Sequence, residues 1–260
     1  SHATRNRSRP HDRRRTAPRG RGHPRCGPAA PPFSRRASRR SPHPSPSPTG
    51  VQSRWCARKL GFLAEFSVSE LKEHFDSIIS GKAHIKKRMM LSCSVMRGSR
   101  QIFCSSAINE VFITAGPPFR MIELKMSVDG QPLAGCVSDG LIIATPTGST
   151  AYNLSAGGPI ISGTVEAMVI TPMCPHSLSF RPIVINADSK VEVLAVRANE
   201  GTTLSVDGQI SCGLSIDEVV TVDRAKAAFL IVNNPVRTQW DTLATKLSWA
   251  EKPRYNLEKK

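Results

Sequence analysis

Acidic residues are almost missing from the start of the chain: in residues 1–50 Asp12 stands alone against 13 Arg, and there is no Lys. That imbalance supplies most of the formal net charge of +16, because +12 belongs to residues 1–50 and only +4 to residues 51–260. The remainder is mildly basic, which does not favour a nucleic-acid partner for it. No run of about 18 apolar residues occurs, so neither a transmembrane helix nor a membrane partner is expected. Cys-x-x-Cys is also absent, and the seven cysteines (Cys26, Cys56, Cys93, Cys104, Cys136, Cys174 and Cys212) are odd in number and scattered. That spacing argues against a zinc site or a disulfide framework. It suits a reducing compartment such as the cytoplasm, with most cysteines serving as small core residues. No Gly-x-x-x-x-Gly-Lys-Ser/Thr loop exists, and no Gly-x-Gly-x-x-Gly follows a strand, which removes the two commonest phosphate-cradling loops. Gly-x-Ser-x-Gly is missing too, so Ser149 is not read as a hydrolase nucleophile.

Residues 1–58 are dominated by Arg, Pro and Ser. A segment with hardly any aliphatic residue cannot bury enough surface to offset its conformational entropy, so it is expected to be disordered. Three readings stay open for it: a solvated leader, an organellar transit segment rich in Arg and Ser, or a nucleic-acid-binding arm. Order is expected from about Lys59, giving one domain over residues 59–260 with room for a sizeable core.

Ser67 and Glu70 form a capping box, Leu71, Phe75, Ile78 and Ile79 follow at helical spacing, and Gly81 provides a stop. This predicts a short helix over about 68–80 whose apolar stripe packs on the core. The period then switches to two. Ile85, Lys87, Met89, Leu91, Cys93 and Val95 share one strand face, and Ile122, Leu124, Met126 and Val128 share another. Val191, Val193 and Ala195, then Val219 with Thr221, then Phe229 to Val232 supply further strands. Asp129-Gly130 and Asp207-Gly208 read as hairpin turns. Many short strands broken by Gly, Pro and Asp predict a mainly β fold of the sandwich type, with one short helix at its start and one, about Asp241 to Trp249, at its end.

The most informative stretch is Asp139-Gly140-Leu141-Ile142-Ile143-Ala144-Thr145-Pro146-Thr147-Gly148-Ser149-Thr150-Ala151-Tyr152, followed by Asn153-Leu154-Ser155-Ala156-Gly157-Gly158-Pro159. Leu141 to Ala144 lack alternation, as expected of a strand covered on both faces, and Pro146 ends it. Gly148 permits close backbone approach, the Ser and Thr hydroxyls donate and accept, and Tyr152 offers a flat face. These properties suit a nucleotide bound through its base and sugar. A plain Ser/Gly turn before a helix has the same composition.

The ungapped Asp139–Tyr152 segment and the Leu154–Pro159 segment after it resemble the signature of NAD kinases. The resemblance covers about residues 59–260, including Leu60-Gly61-Phe62-Leu63-Ala64-Glu65-Phe66, which is similar to the link leaving that family's amino-terminal domain. It implies the β-sandwich carboxy-terminal domain of the family. It also implies a nucleotide pocket built from Asn109, Glu110, Arg120, Asp139, Thr150, Ala151, Tyr152, Asn153, Leu154, Ser155 and Gln209. Asn109 and Glu110 stand at the matching distance before Asp139, and an amide beside a carboxylate can read a ribose diol or an adenine edge. The family's frequent cation two residues before the Asp is Val137 here, a departure that weakens one contact. Thr171-Pro172-Met173-Cys174-Pro175-His176-Ser177-Leu178-Ser179-Phe180-Arg181-Pro182 is a second similar block. It reads as a rigid corner, since one Cys and one His are too few for a metal site.

The resemblance implies transfer of the ATP γ-phosphate to the 2′-hydroxyl of the adenosine ribose of NAD, giving NADP, with ATP and a divalent ion such as Mg2+ as co-reactants and a homodimer or homotetramer as the assembly. The family's Gly-Gly-Asp-Gly-Thr, whose Asp serves as base and whose backbone helps hold the ATP phosphates, does not occur in this sequence. No catalytic residue is therefore assigned, and a truncated form is expected. The competing expectation is a non-catalytic module that binds NAD(H) or NADP.

Overall fold

The computed structural model describes residues 66–247. The expected disordered segment (1–58), the start of order near Lys59, the Leu60–Glu65 part of the link, and Ser248 and Trp249 lie outside the described residues. In chain order the elements are α1 (Val68–Glu73), α2 (Phe75–Ile79), β1 (Ile85–Arg88), β2 (Leu91–Arg97), β3 (Arg100–Ala107), β4 (Glu110–Thr114), β5 (Ile122–Val128), β6 (Gln131–Ser138) and β7 (Gly140–Ala144). A 3-10 turn (Gly148–Thr150) and α3 (Tyr152–Ser155) come next. They are followed by β8 (Ala167–Met173), β9 (Ile183–Asn186), β10 (Val191–Arg197), β11 (Thr203–Val206), β12 (Ile210–Gly213), β13 (Glu218–Arg224), β14 (Phe229–Val232) and α4 (Gln239–Leu247).

Two six-stranded antiparallel sheets carry the fold, in the orders β3-β2-β13-β10-β5-β6 and β12-β11-β4-β7-β8-β9, while β1 and β14 form a separate ribbon. The sheets enclose one core. Cys93, Val95, Leu124, Val193 and Val220 come from the first sheet, and Val111, Ile113, Leu141, Ile143 and Leu204 from the second. Both Asp-Gly dipeptides turn hairpins, with Asp129 at φ 52 in a two-residue loop between paired Val128 and Gln131 and Asp207 at φ 50 in a three-residue loop between paired Val206 and Ile210, each Asp taking the left-handed backbone such turns need. Every residue of β7 is buried. Leu141 and Ile143 face the first sheet, whereas Ile142 and Ala144 join Val169 in a second cluster packed by Phe112, Ala156 and Ile161. The missing alternation in Leu141 to Ala144 thus has its physical cause in cover on both faces.

Several expectations change. The helix over 68–80 is two short pieces broken at His74, although the Ser67–Glu70 capping box is present. Its stripe does not reach the core: Phe75 is 46% and Ile79 67% exposed. Ile85 to Val95 is not one strand face, because Ile85–Arg88 leaves the sheet to pair with Phe229–Val232. The strand expected at Val219 and Thr221 is present as β13, with Val220 and Val222 as its core-facing valines. Register decides this, since Val220 lies opposite both Val193 and Val95. Cys93 and Cys136 are buried thiols, Cys174 is exposed, and Cys104 is disulfide-bonded, outside the thiol reading.

Candidate functional site

β4 and β7 pair with Glu110 opposite Ala144 and Thr114 opposite Gly140. One end of this pair therefore carries Asn109 and Glu110 beside the segment that follows β7, and the other end carries Asp139. On the first end β11 runs alongside β4 with Val206 opposite Val111, which delivers Asp207 next to Glu110. Asp207 Oδ2 accepts from the Ile108 N–H at 2.8 Å, and its Oδ1 accepts from the N–H groups of Asn109 (2.8 Å) and Glu110 (3.0 Å). One carboxylate thus holds three consecutive amides and fixes how the Asn109–Glu110 corner enters its strand.

From the other side, the Thr145 N–H donates to the Asn109 carbonyl at 2.8 Å. The Thr145 hydroxyl donates to the Ile108 carbonyl at 2.6 Å and accepts from the Gly148 N–H at 3.0 Å. A Cβ at Gly148 would stand 2.0 Å from the Asn109 carbonyl oxygen, so only glycine lets the turn dock on that corner. Ser149 is buried, its hydroxyl donating to the Pro146 carbonyl at 2.6 Å and accepting from the Ile161 N–H at 2.9 Å. It is a structural hydroxyl that ties the turn to Ile161.

Glu110 is 5% exposed, and its buried Oε2 has no hydrogen-bond partner. Burial, then the neighbouring Asp207 charge, push it up to about 7, against the opposing hydrogen bond from the Tyr152 backbone. Near neutral pH such a carboxyl both donates and accepts, which suits contact with a hydroxyl. Tyr152 is 37% exposed, and its ring stands edge-on to Phe112 with centroids 5.1 Å apart and planes at 72°. Asn153 is buried and tethers the helix: its amide donates to the carbonyls of Ser149 and Pro159 and accepts from the Thr171 hydroxyl at 2.6 Å. Thr150, Ala151 and Leu154 are half-buried, and Ser155 is exposed. Gln209 is exposed in the Asp207-Gly208 turn, its N–H donating to the Val206 carbonyl.

Asp139 and Arg120 are elsewhere. Asp139 is exposed at the crossover from β6 to β7, its backbone bonded to Met173 and Ala115. Four strand steps separate this end from Glu110, roughly 13 Å at the usual rise. Arg120 is exposed at that same end, where its carbonyl accepts from the Asn199 side chain at 2.5 Å. The structure therefore does not bring Asp139 and Arg120 to Asn109, Glu110 and Tyr152 within one chain. His176 is also at the Asp139 end, its N–H donating to the Val137 carbonyl. Among the described residues no group of three or more His, Cys, Asp or Glu could hold a metal ion.

Sequence reasoning missed Asp207, which it took only as a turn residue. Its carboxylate reaches amides about a hundred positions earlier, and no local pattern announces that. The neighbouring Gln209, already a candidate, was the nearest signal.

Residues 108–234 match the family of the ATP-NAD kinase C-terminal domain. The chain is 44% identical over 174 residues to the NAD kinase of Desulforamulus reducens, covering 66% of this chain and 60% of that protein. It is 38% identical over 193 residues to the NAD kinase of Geotalea daltonii, covering 74% and 68% respectively. Among solved structures it is similar to yeast NADH kinase complexed with NADH, with a TM-score of 0.71, 30% identity, and 78% of this chain and 60% of that one covered. It is also similar to the NAD kinase of Archaeoglobus fulgidus in complex with ATP, with a TM-score of 0.61, 25% identity, and 72% and 70% covered. The fold is thus that of an NAD kinase carboxy-terminal domain. The chain belongs to the NAD kinase family, and it spans 60% of the length of the Desulforamulus relative.

Proposed function

We propose that this chain binds NAD for 2′-phosphorylation to NADP with ATP as donor, and that its pocket is the Glu110 end of the second sheet. The observation that carries the reading is the convergence of Asn109, Glu110 and the Thr150–Ser155 segment at that end, around a buried carboxyl oxygen with no partner. Glu110 and Asn109 would meet ribose hydroxyls, and Tyr152 would lie against a ring. Asp139 and Arg120 serve only a ligand that spans the sheet, or one held by a second copy of the chain. Exposed Ile183, Val184 and Ile210 on the edge strands β9 and β12 support self-association as a homodimer or homotetramer.

Phosphoryl transfer also needs a group to orient the nucleophile and a cradle for the donor phosphates. The Gly-Gly-Asp-Gly-Thr motif is absent from these 260 residues, so this chain alone forms NADP slowly or not at all. That absence favours a second reading, an NAD(H)- or NADP-binding module without turnover. A divalent ion would arrive with the ATP phosphates, since Mg2+ usually keeps several waters and takes only one or two carboxylates. Calorimetric titration with NAD beside an NADP-forming assay tests both readings: NAD binding without turnover fits the module, and binding with turnover fits the kinase. A folded chain that binds no NAD would overturn both.

A further inference from the structure

Glu110 reaches the candidate pocket with one bond unmade. Its carboxyl accepts from the Tyr152 backbone N–H, while its buried Oε2 has no partner. An ionised carboxylate oxygen can only accept, so the group that satisfies it is a donor such as a ribose hydroxyl. Beside it lies Asp207, both of whose oxygens are occupied by the Ile108, Asn109 and Glu110 amides. Two carboxyl groups therefore share this corner. Neither has an ion-pair partner among the described residues.

The surroundings of the pair are neutral. β7 places Ala144 opposite Glu110, the Thr145 hydroxyl is engaged by the Ile108 carbonyl, and Asn109 carries no charge. Lys86 and Arg88 lie with Pro146, Thr147 and Thr150 in a cleft whose lining includes none of Asn109, Glu110 and Asp207. A phosphate monoester carries roughly −1.5 to −2 near pH 7. It also brings acceptors to an oxygen that lacks a donor. A hydroxyl fits this corner, and a phosphate on that hydroxyl does not.

We propose that the Glu110–Asp207 pair makes the pocket selective for a dinucleotide whose adenosine ribose 2′-hydroxyl is free, and disfavours the same dinucleotide once that hydroxyl is phosphorylated. The inference rests on the NAD-binding reading above and deepens it. Glu110 tells substrate from product, and Asp207 positions it and adds a second like charge. Asp207 from the β11–β12 turn and Tyr152 from α3 are the titratable groups that face Glu110 from the elements packed there. Burial and then the Asp207 charge hold the Glu110 carboxyl up to about 7, so it gains charge as pH rises through that value and the selectivity rises with it.

The test is calorimetric titration of the full chain with NAD and with NADP at about pH 6 and about pH 8, on either side of the Glu110 transition. At the higher pH the chain should bind NAD at least about tenfold more tightly than NADP, because like charges brought together in a binding site are strongly unfavourable. At the lower pH the preference should shrink several-fold. Glu110→Gln should raise NADP affinity relative to NAD at pH 8 by about tenfold, a gain that a merely structural loss cannot produce. The phosphate itself titrates over the same range, so the part of the pH change that Glu110→Gln removes belongs to the carboxyl. Asp207→Asn keeps an acceptor oxygen and should move the ratio in the same direction, which preserves the test if Glu110→Gln does not fold. Glu73→Gln, an exposed change on α1, should leave the ratio alone, and the charge of residues 1–50 is common to every variant. Equal wild-type affinities for NAD and NADP, or a ratio unmoved by both pocket variants while NAD still binds, overturn the proposal and leave the pocket reading standing. A folded chain that binds neither dinucleotide overturns both.

Discussion

Asp207 Oδ1 accepts a hydrogen bond from the Glu110 N–H at 3.0 Å, while its charge helps to keep the Glu110 carboxyl from ionising. One residue therefore fixes the backbone position of the candidate ligand-contacting acid and also tunes its charge. Removing Asp207 should separate the two effects.

Asp207→Ala leaves three amides without their charged acceptor and should lower stability by about 2–4 kcal/mol, read as a shift in urea midpoint. Asp207→Asn keeps an acceptor oxygen and should recover part of that loss. In both variants the Glu110 titration, followed by carboxyl NMR, should move down from about 7 because the like charge has gone. A Glu110 titration unchanged in Asp207→Asn would show that burial alone sets it.

Glu110 also predicts a pH dependence of stability. Its folded value of about 7 lies above the ordinary 4.5, so between those values the folded state holds more proton than the unfolded one. Stability from this group is fully present below about pH 4.5 and is lost as pH rises through 7, by at most about 3 kcal/mol. Glu110→Gln should flatten the wild-type difference between pH 5 and pH 8 in denaturant titrations. An equal slope in both proteins would assign the dependence to other groups.

Ligand affinity should follow the Glu110 end of the sheet. Asn109→Ala should weaken NAD binding roughly 5- to 150-fold, the range expected for a lost buried partner of about 1–3 kcal/mol. Tyr152→Ala should weaken it too, and should also cost stability through the lost edge contact with Phe112, about 0.5–1.5 kcal/mol. Cys174→Ala, an exposed change at the Asp139 end, should leave calorimetric NAD affinity unaltered unless that end belongs to the pocket.

Self-association should appear in sedimentation of the chain at micromolar concentration, and charges placed on the exposed apolar edge, such as Ile183→Lys or Ile210→Lys, should reduce it. A strict monomer over the whole concentration range contradicts the oligomer reading.

How much of this was legible depended on range in sequence. Local chemistry was readable: the Ser67–Glu70 capping box, the two Asp-Gly turns, and β7 from Leu141 to Ala144, whose unbroken apolar run reports cover on both faces. Choices made by distant neighbours were not. Val219, Val220 and Val222 are all valines, so only pairing with Val193 and Val95 decides which of them face inward. β8 went unread because Pro172 argues against a strand. β9 pairs only as far as Ile170, however, so Pro172 needs no donor on that side. The placement of Asp139 was lost for the same reason: adjacency to Gly140 in sequence says nothing about which end of β7 meets Asn109.

β7 also acts as a spacer of fixed length. Its five residues set the distance between the Asp139 crossover and the Thr145–Tyr152 turn, and both of its faces are committed to packing. Inserting one residue between Gly140 and Ala144 would exchange the two faces of everything beyond it and carry Thr145 away from Asn109. Apolar residues of similar volume can replace one another along this strand at modest cost, but its residue count cannot vary, so homologous chains should differ here by substitution and never by insertion or deletion.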